Sequence, residues 1–150
     1  AVSLGVEVIV LDHITAAATG MLGSMNDNER MLIDSLMKEL RSLVSRTGVH
    51  IHIVSQLVKN GKAFEEGERI TMQDLRGSGS LASVPNTVIA LERNRQDPDS
   101  VVKNTTTVRV LKNRLTGKCG VATALYYDHN SGRLDEVDFQ VSDGGHVTFD

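Results

Sequence analysis

Tryptophan is absent, proline occurs twice and cysteine once, and aromatic residues make up only 3% of the chain. The lone Cys119 cannot close an internal disulfide and reads as a small filler residue, so the fold has to rest on its apolar core. No apolar run approaches the roughly 18 to 20 residues that cross a bilayer, and the opening AVSLG carries neither a basic leader nor a cleavage pattern. A net charge of −3 excludes a uniformly basic surface of the kind that coats nucleic acid, although a local basic loop is compatible with it. These absences predict an intracellular protein without a membrane segment. With 150 residues, 40% of them apolar, the chain has material for one core, and with no initiator Met it is expected to be a piece of something longer.

One further absence narrows the chemistry. A phosphate-loop nucleotide hydrolase needs G-x-x-x-x-G-K-[ST], whose amides and lysine cradle the phosphates. Gly61-Lys62 and Gly117-Lys118 are followed by Ala63 and Cys119 and lack the upstream glycine. The chain by itself is therefore expected to bind nucleotide poorly.

What is present reads as alternating strands and helices. The β-branched run from Val6 to Leu11 fits a strand buried on both faces, as in a parallel sheet. A small-residue linker, Thr15 to Gly23, leads to Asn26, which can cap a helix with Glu29 three residues on; Ile33, Leu36, Met37, Leu40, Leu43 and Val44 then recur at helical spacing until Gly48. Val49–Val54 is a second strand, so a strand–helix–strand crossover with parallel strands is predicted. Val58–Met72 is a long polar loop, Asp74–Ala82 a turn into a short helix, Thr87–Leu91 a third apolar run and Arg93–Lys103 a polar linker. Thr107–Leu111 and Val121–Tyr127 flank KNRLTGKCG, which has the Asn and Gly of a hairpin connection. The acidic, glycine-containing residues 137–150 are expected to form a mobile tail.

In open parallel sheets ligands bind beyond the carboxyl ends of the strands. Asp12 and Gln56 both lie just past such ends and should share an edge. Asp12 reads either as a turn cap or as a carboxylate for hydrated Mg²⁺, a hard cation that keeps several waters. Gln56 reads as a loop amide or as a group that orients water or senses a terminal phosphate. Lys112 and Arg114, two apart, share a side if the strand extends that far; they are either a solvated hairpin end or a pair that grips an anion, with arginine supplying a fork and lysine a point charge. DLRGSGSL is a turn capped by Asp74 or an anion-binding set of free amides. Lys59, Asn60 and Lys62 are a solvated loop or a grip on a phosphate backbone. His50 and His52 share one strand face, but the sequence places no third or fourth ligand for zinc with them.

Taken in order, GVEVIVLDHI, IHIVSQL, GKAFEEG, DLRGSGSLASVPNTVIALERN and VLKNRLTG resemble the C-terminal portion of the RecA-like motor domain of DnaB-family replicative helicases, nearest to the phage primase–helicases and their mitochondrial relative Twinkle. The likeness spans roughly residues 5 to 136. It implies an α/β RecA-like core with a mostly parallel central sheet and a C-terminal β-hairpin, and a parent that is a hexameric NTP-dependent DNA helicase moving 5′ to 3′. By this resemblance Asp12 corresponds to the aspartate that holds Mg²⁺ on bound ATP or another NTP, and Gln56 to the γ-phosphate sensor. Lys59, Asn60 and Lys62 correspond to the loop that touches single-stranded DNA in the ring's channel, and Arg76, Gly77, Ser78 and Gly79 to a motif for DNA binding and subunit contact. Arg93 matches an arginine near the nucleotide. Lys112 and Arg114 match the pair inserted into the neighbour's site, Arg114 being the arginine finger. Primase and polymerase are the implied further partners, and the implied location is the cytoplasm of a bacterium or, for a Twinkle-like protein, the mitochondrion. A RecA-type recombinase and a non-enzymatic DNA-binding or oligomerisation module are the competing readings.

Overall fold

The computed structural model describes residues 5–20, 29–58, 61, 63–77, 79–141 and 147–149. The chain divides into two compact units, one made of Ala1–Val58 and Gln73–Pro85, the other of Lys59–Met72 and Asn86–Asp150.

In the first unit β1 (Val8–Leu11) pairs in parallel with β2 (His50–Ile53), in the register Val8↔His50 to Leu11↔Ile53. Between them run α1 (Ile14–Gly20) and α2 (Glu29–Thr47), the helical crossover that a parallel pair requires. Helix α1 replaces the first part of the expected linker. Its alanines favour helix, and Ile14 and Ala18, one turn apart, are buried together. Asn26, the expected cap of α2, lies outside the described residues.

Helix α2 follows its predicted periodicity. Ile33, Leu36 and Met37 are buried against Ile14, Ala18 and Leu81, with Leu40 packed at the edge of the same cluster. Full burial of a side chain such as Ile33 or Met37 stabilises by about 1.5–3 kcal/mol. The helix ends where Gly48, at φ +72, donates its amide to the Val44 carbonyl, a left-handed turn that glycine enters without a steric penalty.

The expectation of two-sided burial for the first strand is corrected. Ile9 and Leu11 are turned inward, but Val8 and Val10 are 53% and 67% exposed, beside the exposed His50 and His52 of β2. A mostly apolar run reports that both faces are greasy, not that this chain covers both.

The second unit is built on an antiparallel sheet, β3 (Thr87–Glu92), β4 (Thr105–Asn113), β5 (Gly120–Tyr127) and β6 (Leu134–Val137), in that order. The α/β class stands, but among the described strands the parallel direction is confined to β1 and β2. The β4–β5 and β5–β6 connections are hairpins, and a hairpin can only join antiparallel strands. The predicted polar linker after β3 contains a short helix, α4 (Ser100–Asn104), started by Asp99, whose carboxylate accepts the Val101 amide at 2.7 Å. Within the segment expected to be a mobile tail, β7 (Phe139–Val141) and β8 (Val147–Phe149) pair antiparallel. Among the described residues no helix is long and apolar enough to cross a membrane.

Candidate active site

The ladder between β1 and β2 continues past both strands. The Val54 amide donates to the Leu11 carbonyl at 2.9 Å, and the Ile14 amide donates to the Val54 carbonyl at 3.0 Å. Residues 12–13 and 55–56 therefore emerge side by side at one edge, as the strand reading predicted. The Asp12 carboxylate is exposed and takes no hydrogen bond or ion pair from any described residue, which weighs against the cap reading. The Asp12–His13 peptide is cis.

Gln56 reaches further. Residues 56–58 pair with 74–76: the Val58 amide donates to the Asp74 carbonyl at 2.8 Å and the Arg76 amide to the Gln56 carbonyl at 2.9 Å. This brings the Arg76 guanidinium onto the Gln56 side chain, Nη1 to Oε1 3.3 Å, while Gln56 Nε2 stands 3.4 Å from His13 Nε2. Arg76 also faces Glu29 at the start of α2, with Nε 3.4 Å from Oε1. Both ends of that ion pair are solvated, so its net worth is about 0–1 kcal/mol. Sequence reasoning singled out Asp12, Gln56 and Arg76; it did not name His13 and gave Glu29 only as a capping partner. The i+1 position after a candidate metal carboxylate was the available signal for His13. The Arg76–Glu29 pairing, across 47 residues, has no sequence signature.

Gly77 and Gly79 differ in conformation. Helix α3 (Ser80–Ser83) has a single turn, and Gly79 sits in an ordinary right-handed conformation. Gly77, at φ +113, is there for packing: a Cβ would collide with Cδ1 of Ile33 in the core, and its carbonyl accepts from Arg30 Nε at 3.2 Å. Lys59, Asn60, Lys62 and Ser78 lie outside the described residues.

In the second unit Lys112 is the last residue but one of β4, which ends at Asn113. The pairing nonetheless reaches Arg114, whose amide donates to the Asn86 carbonyl at 2.8 Å and whose Nη1 lies 3.5 Å from Asn86 Oδ1. The two cations are thus held near each other. Burial first, and the Arg114 charge second, hold the Lys112 ammonium below its ordinary range.

Arg93 follows β3 and lines a cleft of about 420 Å³ with Arg95, Lys103, Asn104, His129 and Glu65, so that cations outnumber the carboxylate there. Its guanidinium has structural work: Nε donates to the Lys103 carbonyl at 2.6 Å and Nη2 to Asn104 Oδ1 at 2.9 Å. Asn104 Oδ1 also lies 2.9 Å from His129 Nε2. Below this, Glu92 and Arg109 form a buried pair, with Arg109 Nε 3.0 and 2.9 Å from the two carboxylate oxygens and the Ile70 amide donating to Oε1 at 2.9 Å.

Among the described residues no group of three or more His, Cys, Asp or Glu could enclose a metal ion. His50 and His52 lie ring against ring, centroids 4.6 Å apart, on the exposed strand face. One unpaired exposed carboxylate, Asp12, fits Mg²⁺ of the kind bound by a single protein oxygen with water and phosphate completing its shell. It does not fit a metal that needs an all-protein cage.

Comparison with known proteins gives this geometry a lineage. Residues 2–136 match the model of the DnaB-like helicase C terminal domain. The DNA helicase/primase of Enterobacteria phage T3 is 39% identical over 143 residues, which cover 94% of this chain and 24% of that protein; the chain thus spans about a quarter of this relative's length. A solved ATPase domain superposes with a TM-score of 0.69 at 22% identity, over 87% of this chain and 44% of the other. A DnaB-like replicative helicase whose structure was studied with its interactions with primase superposes at 0.67 and 23%, over 85% and 29%. At these identities the superpositions establish the fold, which is that of the RecA-like ATPase domain seen in partial form. Carried by the family match over nearly its whole length, the chain belongs to the DnaB-like helicase C-terminal domain family.

Proposed function

We propose that this chain is the finger-bearing part of the motor of a ring-shaped, NTP-driven replicative DNA helicase of the phage helicase–primase type. The observation that carries the reading is the shared edge: the carboxylate of Asp12 and the amide of Gln56 emerge together from a parallel strand pair, with Arg76 already on Gln56. The family and the phage relative favour this over the recombinase and over a non-enzymatic module.

In this reading Asp12 holds Mg²⁺ on the bound NTP, and that ion when bound offsets phosphate charge. Gln56 hydrogen-bonds at the terminal phosphate. Arg114, with Lys112 beside it, enters the neighbouring subunit's site and stabilises the charge that develops in phosphoryl transfer. Arg93 corresponds to the family's arginine near the nucleotide. Lys59, Asn60 and Lys62 grip the single-stranded DNA backbone, and Arg76 with Gly77, Ser78 and Gly79 forms the adjoining DNA-side turn. Primase and polymerase are the partners of such a motor.

The test uses the full-length parent. Arg114→Ala should lower NTP turnover by about 10³- to 10⁵-fold, the range found for arginine fingers, while nucleotide binding measured at equilibrium stays within a few-fold. Wild-type turnover in that variant would remove Arg114 from the mechanism.

A further inference from the structure

The tip of the β4–β5 hairpin is fixed by hydrogen bonds rather than by packing. Residues 114–119 are all exposed, Leu115 to 83%, so the core does not hold them. Asn113, the last residue of β4, does. Its side-chain oxygen accepts the Leu115 amide at 3.1 Å and the Thr116 amide at 3.2 Å, and its backbone carbonyl accepts the Gly117 amide at 2.8 Å. Residues 114–116 therefore wind through a single α-turn, opened by an asparagine cap and closed by Gly117 at φ +71, a left-handed position that suits glycine. On the strand side the Arg114 amide donates to the Asn86 carbonyl at 2.8 Å. The side-chain contact from Arg114 Nη1 to Asn86 Oδ1, at 3.5 Å, stands at the limit of a hydrogen bond and fixes little. Arg114 is thus the first residue of a turn rather than the next residue of a pleated strand, and the turn sets the direction in which its side chain leaves the backbone.

We infer that Asn113 is a positioning residue for Arg114: by tying the Leu115 and Thr116 amides to its own side chain it holds the turn from which the finger projects. The inference rests on the finger reading of Arg114 and adds to it the residue that aims the finger. Charge stabilisation in a neighbour's site depends on where the guanidinium arrives, and a misplacement of about 1 Å can cost about 10²-fold in rate. Without the Asn113 side chain the two amides turn to water, which already reaches this tip, so the turn loosens while the strands beneath it stay paired. Arg114 then keeps its charge and its length but loses its aim. The effect belongs in turnover, not in nucleotide binding or in the stability of the fold.

The experiment uses the full-length protein and measures NTP turnover beside equilibrium NTP binding and thermal melting. Asn113→Ala should lower kcat by about 10- to 100-fold, the range of a displaced but intact catalytic group, while KM, NTP binding and the melting temperature change little. Asn113→Ser, which keeps an acceptor oxygen at the cap, should recover most of the loss. Asn113→Ala added to Arg114→Ala should slow turnover no further, because with the finger gone nothing is left to aim, whereas a merely structural defect would add to the first. Wild-type kcat in Asn113→Ala while Arg114→Ala is slow overturns the positioning role and leaves the finger reading standing. So does a double variant slower than Arg114→Ala, an Asn113→Ser protein no faster than Asn113→Ala, or a loss in Asn113→Ala that comes with lost NTP binding. Wild-type turnover in Arg114→Ala overturns the finger reading and the positioning role with it, so the two failures are distinguishable.

Discussion

One polar network in each unit is treated in the opposite way to the other. In the second, Glu92 and Arg109 are 8% and 4% exposed and meet through both carboxylate oxygens, and one of those oxygens also takes the Ile70 amide. In the first, His13, Gln56 and Arg76 stand at the surface with contacts of 3.3–3.4 Å. A buried network must close on itself, because an unpaired charge out of water is costly. A surface network can stay open, and is then free to accept a ligand atom. The contrast separates residues that hold the fold from residues left open at the surface, although charge and residue type look alike in both.

Breaking the closed network should give the largest effect. Glu92→Gln keeps the shape and the acceptor for Ile70 but leaves the buried guanidinium without its counter-charge, at a cost of about 3–5 kcal/mol. Urea unfolding should show the midpoint falling with little change in slope. Replacing both partners, Glu92→Met with Arg109→Leu, should recover most of the loss apart from about 1–3 kcal/mol for the orphaned Ile70 amide. If the double variant is as unstable as the single, the pair is not what Glu92 contributes.

Glycines sharpen the comparison at a smaller scale. Gly77 in the first unit and Gly117 in the second both have positive φ, +113 and +71, but a Cβ at Gly77 would strike Ile33 whereas one at Gly117 meets nothing within 4 Å. Gly117→Ala should therefore cost only backbone strain, about 1–3 kcal/mol. Gly77→Ala should cost that and a further 1–3 kcal/mol or so for overpacking. Thermal melts of the two variants decide this; equal losses would mean that the core yields around Ile33.

The same contrast marks how far the sequence could be read. Strand β1, helix α2 and strand β2 were legible because β-branched runs and a helical period are local properties, and the placing of Asp12 beside Gln56 follows from the crossover alone. Helix α1 was missed because Thr15–Gly20 is small and polar enough to pass for a linker, its burial depending on Ile14 and Ala18 meeting α2. The pairings of Arg76 with Glu29, Arg93 with Asn104 and Arg109 with Glu92 join residues 47, 11 and 17 positions apart. No periodicity encodes them, so which arginine is structural and which is poised became visible only in three dimensions. The exposed face of Val8 and Val10 was misread for a related reason: hydropathy records preference, and the cover over a strand comes from elsewhere.

Lys112 and Arg114 provide the finest test, because there two cations lie near each other in the second unit. The Lys112 ammonium is held below the ordinary 10.5 by burial and then by the Arg114 charge. The folded chain thus releases this proton more readily than the unfolded one. In the window between the lowered value and 10.5 the unfolded state binds more protons, and stability should rise with pH there; below the window the penalty is fully present. Lys112→Met should accordingly stabilise the chain at pH 7 and low salt, by an amount on the order of the 0.2–1 kcal/mol of solvated charge pairs. The gain should fade in about 1 M salt, where the screening length falls to about 3 Å. Inorganic pyrophosphate should do the reverse, stabilising the wild-type chain more than the variant. A Lys112→Met chain that is no more stable would mean that the cations do not strain the fold. A gain that pyrophosphate erases would mean that the strain is kept for an anion, which is what a finger reaching for a neighbour's phosphates requires.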